Sequence, residues 1–214
     1  MKLTKFVIAI MLLTFMVNTV SAQDYFFKDK APFNPDIPSP EEFLGRPIGA
    51  QHTRHDLIVA YLTKLAELSD RAEIETYGQT HEMRKLVMLR VSTPENLNNL
   101  ESIKSQHLKF VDPNQSPTNY NDIPVFIQLG YNVHGNESSS TEAAMKTLYK
   151  LLTENSEWLE NTLVILDPCI NPDGRDRYAN WYNQNVTYPL NTDLDAREHN
   201  EPWPGGRANH YLFD

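Results

Sequence analysis

Between residues 55 and 68, Leu57, Ile58, Tyr61, Leu62, Leu65 and Leu68 recur at three- and four-residue intervals. That is the period of a helix with one buried face. Residues 72–77 and 85–91 instead alternate. Val87, Leu89 and Val91 face one way, Met88 and Arg90 the other, so the two segments read as strands joined by a turn over 78–84. A weaker helical period covers 95–107. Residues 112–122, with Pro113, Pro117 and several Asn, read as loop.

Residues 125–129 (Val-Phe-Ile-Gln-Leu) are a short apolar run, the pattern of a central strand buried on both faces. A helix follows over 140–153. Ser139 and Glu142 have the spacing of a capping box at its start, and Ala144, Leu148, Leu151 and Leu152 form its apolar face. Residues 162–170 read as a second buried strand, ending at Asn171-Pro172-Asp173-Gly174, which reads as a tight turn. Strand, helix and strand make a βαβ unit, whose two strands run parallel. From Arg175 onward the chain is polar, aromatic and turn-rich and reads as a long surface segment.

The beginning of the chain has a different character. Lys2 and Lys5 precede an apolar stretch over 6–17, and Val20-Ser21-Ala22 offers small residues for cleavage. The stretch is shorter than the ~20 residues a membrane span needs, so residues 1–22 read as an export signal. Residues 23–54, with Pro32, Pro35, Pro38, Pro40 and Pro47, read as an irregular arm lying on a domain over 55–214. The protein is thus expected to be secreted or periplasmic, with no membrane association after cleavage. Cys169 is the single cysteine, so no internal disulfide can form.

Charge narrows the partners. The formal charge of −9 becomes −11 once Lys2 and Lys5 are removed with the signal. An acidic surface argues against nucleic acid and anionic membrane as partners. With 40% apolar and 22% charged residues, the 214-residue chain has the composition of a folded α/β domain.

The chemical signal is His134-x-x-Glu137, directly after the first apolar strand. Carboxyl ends of strands in open α/β sheets are where ligands bind. Imidazole nitrogen and carboxylate oxygen are ordinary zinc ligands, and Gly135 allows the backbone between them to bend. The pair alone is a weak motif.

Its context is not weak. Residues 130–137, a helix, the strand 163–170 and Asn171-Pro172-Asp173-Gly174 follow in one order. Together they resemble the zinc metallocarboxypeptidases of the carboxypeptidase A/B/E type. Gly206-Arg207-Ala208-Asn209 followed by Phe213-Asp214 is similar to that family's stretch just before its Asn-Arg pair. Tyr77-Gly78-Gln79-Thr80 with Arg84-Lys85-Leu86 resembles its Gly-x-Ser-x-Glu-Gly-Arg hairpin, departing at Thr80, His81 and Met83.

The resemblance implies a mixed, mostly parallel central sheet flanked by helices in a three-layer α/β/α fold, with its C-terminal part absent from residues 1–214. It implies one zinc ion per complete domain, with His134 and Glu137 as two of its ligands. Arg207 matches the arginine that polarises the scissile carbonyl, in preference to Arg175 or Arg177. Asp214 matches the acid that accepts a hydrogen bond from the first zinc-binding His. His199 and His210 read as surface or structural, and Trp181, Tyr182 and Trp203 as loop packing. The implied activity is hydrolysis of C-terminal peptide bonds, with peptide or protein C-termini as substrates. The family's Asn-Arg carboxylate clamp, third zinc ligand, substrate-binding Tyr and general-base Glu lie beyond Asp214. Residues 1–214 alone are therefore expected to be inactive, to bind zinc weakly and to be poorly soluble. Two other readings remain: an aspartoacylase-type deacylase, and a non-catalytic peptide-binding relative.

Overall fold

The computed structural model describes residues 34, 36–115, 123–154 and 156–202. The export signal, most of the proline-rich arm before residue 36, and residues 203–214 lie outside them.

A short helix α1 (Pro40–Leu44) opens the described chain. Ser39 and Glu42 close a capping box around it, and Gly45 ends it at φ 66°. Its surroundings are tied down: Ile37 is buried, Tyr61 donates to the Pro38 carbonyl at 3.1 Å, and Glu41 pairs with Lys146 at 3.1 Å. Helix α2 (His55–Leu68) covers the residues its periodicity marks. Ile58, Tyr61, Leu62 and Leu65 are fully buried, and each such side chain contributes about 1.5–3 kcal/mol. Leu57 and Leu68, at the margins of the stripe, stay exposed.

Strands β1 (Ala72–Gln79) and β2 (Lys85–Val91) form the expected hairpin, with an irregularity between Thr76 and Gly78. The weak helical period that follows resolves into two helices, α3 (Pro94–Asn98) and α4 (Leu100–Val111), broken at Asn99. After β3 (Val125–Gly130) come α5 (Ser139–Thr153), β4 (Thr162–Asp167) and α6 (Pro172–Asn185).

The sheet is mixed, in the order β1-β2-β4-β3. β4 runs antiparallel to β2 and parallel to β3, as the βαβ reading requires. The core lies where α2 and α5 pack together, with Ala144, Met145 and Leu148 of α5, Val87, Leu89 and Val91 of β2, and Leu163 and Leu166 of β4 all buried.

Three local expectations fail. β3 is not buried on both faces: among the described strands it pairs only with β4, and Val125 and Ile127 are 57% and 42% exposed. The Ser139/Glu142 capping box does not form. Ser138 is the N-cap of α5 without a side-chain bond, and Glu142 turns inward to an arginine. Finally, Asn171-Pro172-Asp173-Gly174 is a helix start. The Asn171 side chain accepts from the Gly174 N–H, Pro172 occupies a first-turn position where no donor is needed, and Asp173 adds negative charge there. The helix runs on to Asn185, so residues 175–185 are helical where a turn-rich surface segment was expected.

Candidate metal-binding site

The site is assembled where β3 and β4 end side by side. Beyond the strands, the two chains stay paired: Tyr131 N–H donates to Asp167 O, Ile170 N–H to Tyr131 O, and Asn171 N–H to Asn132 O, at 2.9–3.1 Å. The chain then turns sharply at Asn132, which adopts φ 54°. Asn tolerates this left-handed region better than other side chains. Its buried amide donates to the His134 carbonyl at 2.6 Å, and its Oδ1 lies 3.3 Å from Cys169 Sγ.

His134 and Glu137 occupy one turn, closed by a 3.1 Å bond from Glu137 N–H to the His134 carbonyl. His134 is half-buried and Glu137 exposed. The bend is taken at Asn132; Gly135 is needed for another reason. A Cβ there would lie 2.0 Å from the carbonyl carbon and oxygen of Gly174 and 2.6 Å from the Arg175 nitrogen. The turn therefore rests backbone to backbone on the first turn of α6. Asn171 Nδ2 adds a 3.2 Å bond to the Val133 carbonyl. Asn136 reaches the other way, donating to Glu201 Oε1 at 3.0 Å.

The start of α6 is anchored from below by the β1–β2 hairpin. Asp173 accepts from Thr80 Oγ1 at 2.7 Å, from the Glu82 N–H at 3.1 Å and from Arg84 Nη1 at 2.7 Å. Burial works against the Asp173 carboxylate, but the bonds from Thr80 and Arg84 outweigh it and hold its pKa below the ordinary value. Arg84 Nε also binds Asp176 at 2.7 Å, whose other oxygen accepts from the His55 N–H at 2.8 Å. Of the three residues at which this hairpin departs from the family pattern, Thr80 supplies a hydroxyl and Met83 takes φ 65° in the turn.

Arg175 is neither surface nor placed to meet a substrate. It is fully buried, and its guanidinium donates to Thr53 O at 2.9 Å, to Ser138 O at 2.5 Å and to Glu142 Oε1 at 2.6 Å. The same Glu142 oxygen accepts from the Thr53 N–H at 2.8 Å. Arg177 is exposed. His199 is half-buried, its Nε2 bonded to the Asn191 carbonyl at 2.8 Å, which fits a structural role. Trp181 and Tyr182 lie on α6, not on a loop, and pack among rings: His52 sits 4.4 Å from Tyr182, and Trp181 5.9 Å from Tyr178. Arg207, Asp214, His210 and Trp203 lie outside the described residues.

The donor chemistry of the turn fits zinc: one imidazole and one carboxylate carried on a rigidly seated bend at the strand ends. Among the described residues no group of three or more His, Cys, Asp or Glu gathers to hold an ion; the turn by itself presents one imidazole and one carboxylate.

The features that sequence reasoning missed are Asn132 and the Glu142–Arg175 pair. A signal existed for the pair. Glu142 lies three residues before Met145 and seven before Tyr149, on the buried stripe of its helix, and Arg175 lies four before buried Ala179.

Residues 58–211 match the family model described as zinc carboxypeptidase. No curated protein matches the chain. Among solved structures, carboxypeptidase A from Helicoverpa armigera is similar at 21% identity, over 61% of this chain and 27% of its own, with a TM-score of 0.46. Thrombin activatable fibrinolysis inhibitor is similar at 16% identity, over 68% of this chain and 30% of its own, with a TM-score of 0.43. A metallo-carboxypeptidase from Burkholderia cenocepacia is similar at 17% identity, over 56% and 27%, with a TM-score of 0.36. The chain thus spans 27–30% of the length of these proteins.

Proposed function

The chain belongs to the zinc carboxypeptidase family, and on that premise we propose that it is part of a secreted or periplasmic zinc-dependent carboxypeptidase that hydrolyses C-terminal peptide bonds. The observation that carries this reading is the His134–Glu137 turn, seated at the ends of two parallel strands and locked onto the first turn of α6. His134 and Glu137 would hold the metal. Zinc bound there supplies Lewis-acid polarisation of a carbonyl and a more acidic water.

Two groups of this chain act beside it. Arg207 stabilises negative charge developing on the scissile carbonyl oxygen, a contribution of about 3–4 kcal/mol for one well-placed donor. By the resemblance to the family, Asp214 would accept a ring N–H of His134 and so fix its tautomer and orientation. The substrates are peptides or proteins with a free C-terminus. Export rests on Lys2, Lys5, the apolar stretch over 6–17 and Val20-Ser21-Ala22; among the described residues no helix is long and apolar enough to cross a membrane. With two donors in place, residues 1–214 by themselves are expected to show negligible turnover.

The test compares peptides with free and amidated C-termini in the full-length protein. The expected result is release of the last residue from the free form only, lost in His134→Ala. Cleavage of N-acyl amino acids but not of peptides would replace the reading with a deacylase. Peptide binding without turnover would replace it with a non-catalytic relative.

A further inference from the structure

Resting on that reading, we propose that Arg175 is a positioning residue for the zinc-binding turn, holding Glu137 in place through the carbonyl of the next residue. Arg175 meets the turn twice. Its backbone nitrogen lies under Gly135, so close that a Cβ there would stand 2.6 Å away. Its Nη1 binds the carbonyl of Ser138 at 2.5 Å. The turn is therefore held on both flanks of Glu137 by one residue.

The rest of the guanidinium fixes Arg175 itself. Nε binds Thr53 O at 2.9 Å, and Nη2 binds Glu142 Oε1 at 2.6 Å. Glu142 is oriented in turn by the Thr53 N–H at 2.8 Å and by Thr141 Oγ1 at 3.0 Å. Three acceptors from two segments remote in sequence converge on this one planar group: Thr53 O before α2, and Ser138 O and Glu142 Oε1 at the start of α5. Only a guanidinium presents enough donors in a fixed plane to serve all three.

The location also argues against a role in stability alone. Ser138 is the N-cap of α5, and its own side chain makes no capping bond. A buried ion pair is weak evidence for stabilisation, since well-packed apolar residues often replace one at no loss. What apolar residues cannot replace is the donor to the Ser138 carbonyl.

The test uses two variants of the full-length protein, Arg175→Lys and the double variant Arg175→Met with Glu142→Met. Lysine keeps the charge beside Glu142 but cannot reach all three acceptors. The double variant removes both charges, so no lone buried ion remains to prevent folding. Two readouts are taken: amide hydrogen exchange in metal-free protein, and zinc affinity by competition with a chelator. The proposal expects exchange protection over residues 134–140 to fall at least ~10-fold relative to β2 and β4, and zinc affinity to fall about 10–100-fold, the usual effect of losing an outer-shell partner. A uniform loss of protection in every element, or a folded double variant with wild-type zinc affinity, would reduce Arg175 to a stabilising residue and overturn the proposal. If the wild-type protein binds no zinc, or binds it equally after His134→Ala, the underlying reading falls and the proposal with it.

Discussion

Replacing Gly135 by alanine is a direct probe of how the His134–Glu137 turn is seated. The new methyl carbon would stand 2.0 Å from two backbone atoms of Gly174 and 2.6 Å from the nitrogen of Arg175. Unbonded carbon atoms settle about 3.5–4.0 Å apart, so the turn and α6 must separate by roughly 1.5 Å. Both sides of the contact are backbone, and neither can rotate away. A shift of that size breaks the 3.2 Å bond from Asn171 to the Val133 carbonyl and pulls on the Arg175–Ser138 bond. Overpacking costs about 1–3 kcal/mol, and each buried group left without its partner costs about 1–3 kcal/mol more. One term opposes these. Gly135 does not sit at positive φ, so alanine is sterically allowed there and stiffens the unfolded chain, a gain of about 0.4–1 kcal/mol. The net expectation is a loss of about 3 kcal/mol. For a domain of this size that lowers the melting temperature by roughly 6–12 °C. The assay is a thermal melt of metal-free protein, with Gly78→Ala as control. A Cβ at Gly78 meets only Leu86 Cδ1, at an ordinary 3.5 Å, so that variant should melt within about 1 kcal/mol of wild type. If Gly135→Ala melts like the control, the backbone-on-backbone seating is wrong.

Two further expectations concern titrating groups. Burial, then the charge of Arg175, lowers the pKa of His52 from 6.5 to about 4, with Arg46 adding to the effect and Glu142 opposing it. The fold prefers the neutral ring, so this stability is fully present above pH ~6.5 and is lost as the pH falls toward 4, by at most ~3 kcal/mol. Urea unfolding at pH 7 and pH 4.5 should show a smaller pH-induced loss for His52→Phe than for wild type; equal losses would contradict the assignment. Cys169 is 1% exposed, and burial pushes its thiol up to about 12, so a thiol reagent at pH 8 should label it only after unfolding. Rapid labelling of native protein would show that the space behind Asn132 is open.

The parts of the fold that could be read ahead are those decided by local pattern. Helix α2 needs one apolar stripe, and the β1–β2 hairpin and β4 need alternation or a short buried run, all within a few residues. What failed depends on partners far away in the chain. β3 has the composition of a doubly covered strand, yet its exposure is set by which strands pair beside it. Residues 172–185 are poor in apolar side chains, and their helix is held by Asp173, Arg175 and Asp176, whose partners lie at Thr53, His55 and on the β1–β2 hairpin. Glu142 had a valid local use as a cap, and a buried arginine won the competition. That His134 and Glu137 share one turn at the strand ends was legible, because residue spacing and strand ends are local features. The hold of Arg175 on Ser138 was not legible, because it is a contact between the starts of two helices.

The measurement that bears most directly on the account is zinc binding by the full-length protein, its His134→Ala and its Glu137→Ala variants, by metal analysis after dialysis and by chelator competition. The expected result is one zinc per wild-type chain, with an affinity loss in each variant beyond the roughly 10–100-fold that removal of an outer-shell partner produces. Folded variants that hold zinc as tightly as the wild type would place the metal elsewhere and remove the basis for assigning the turn as its site.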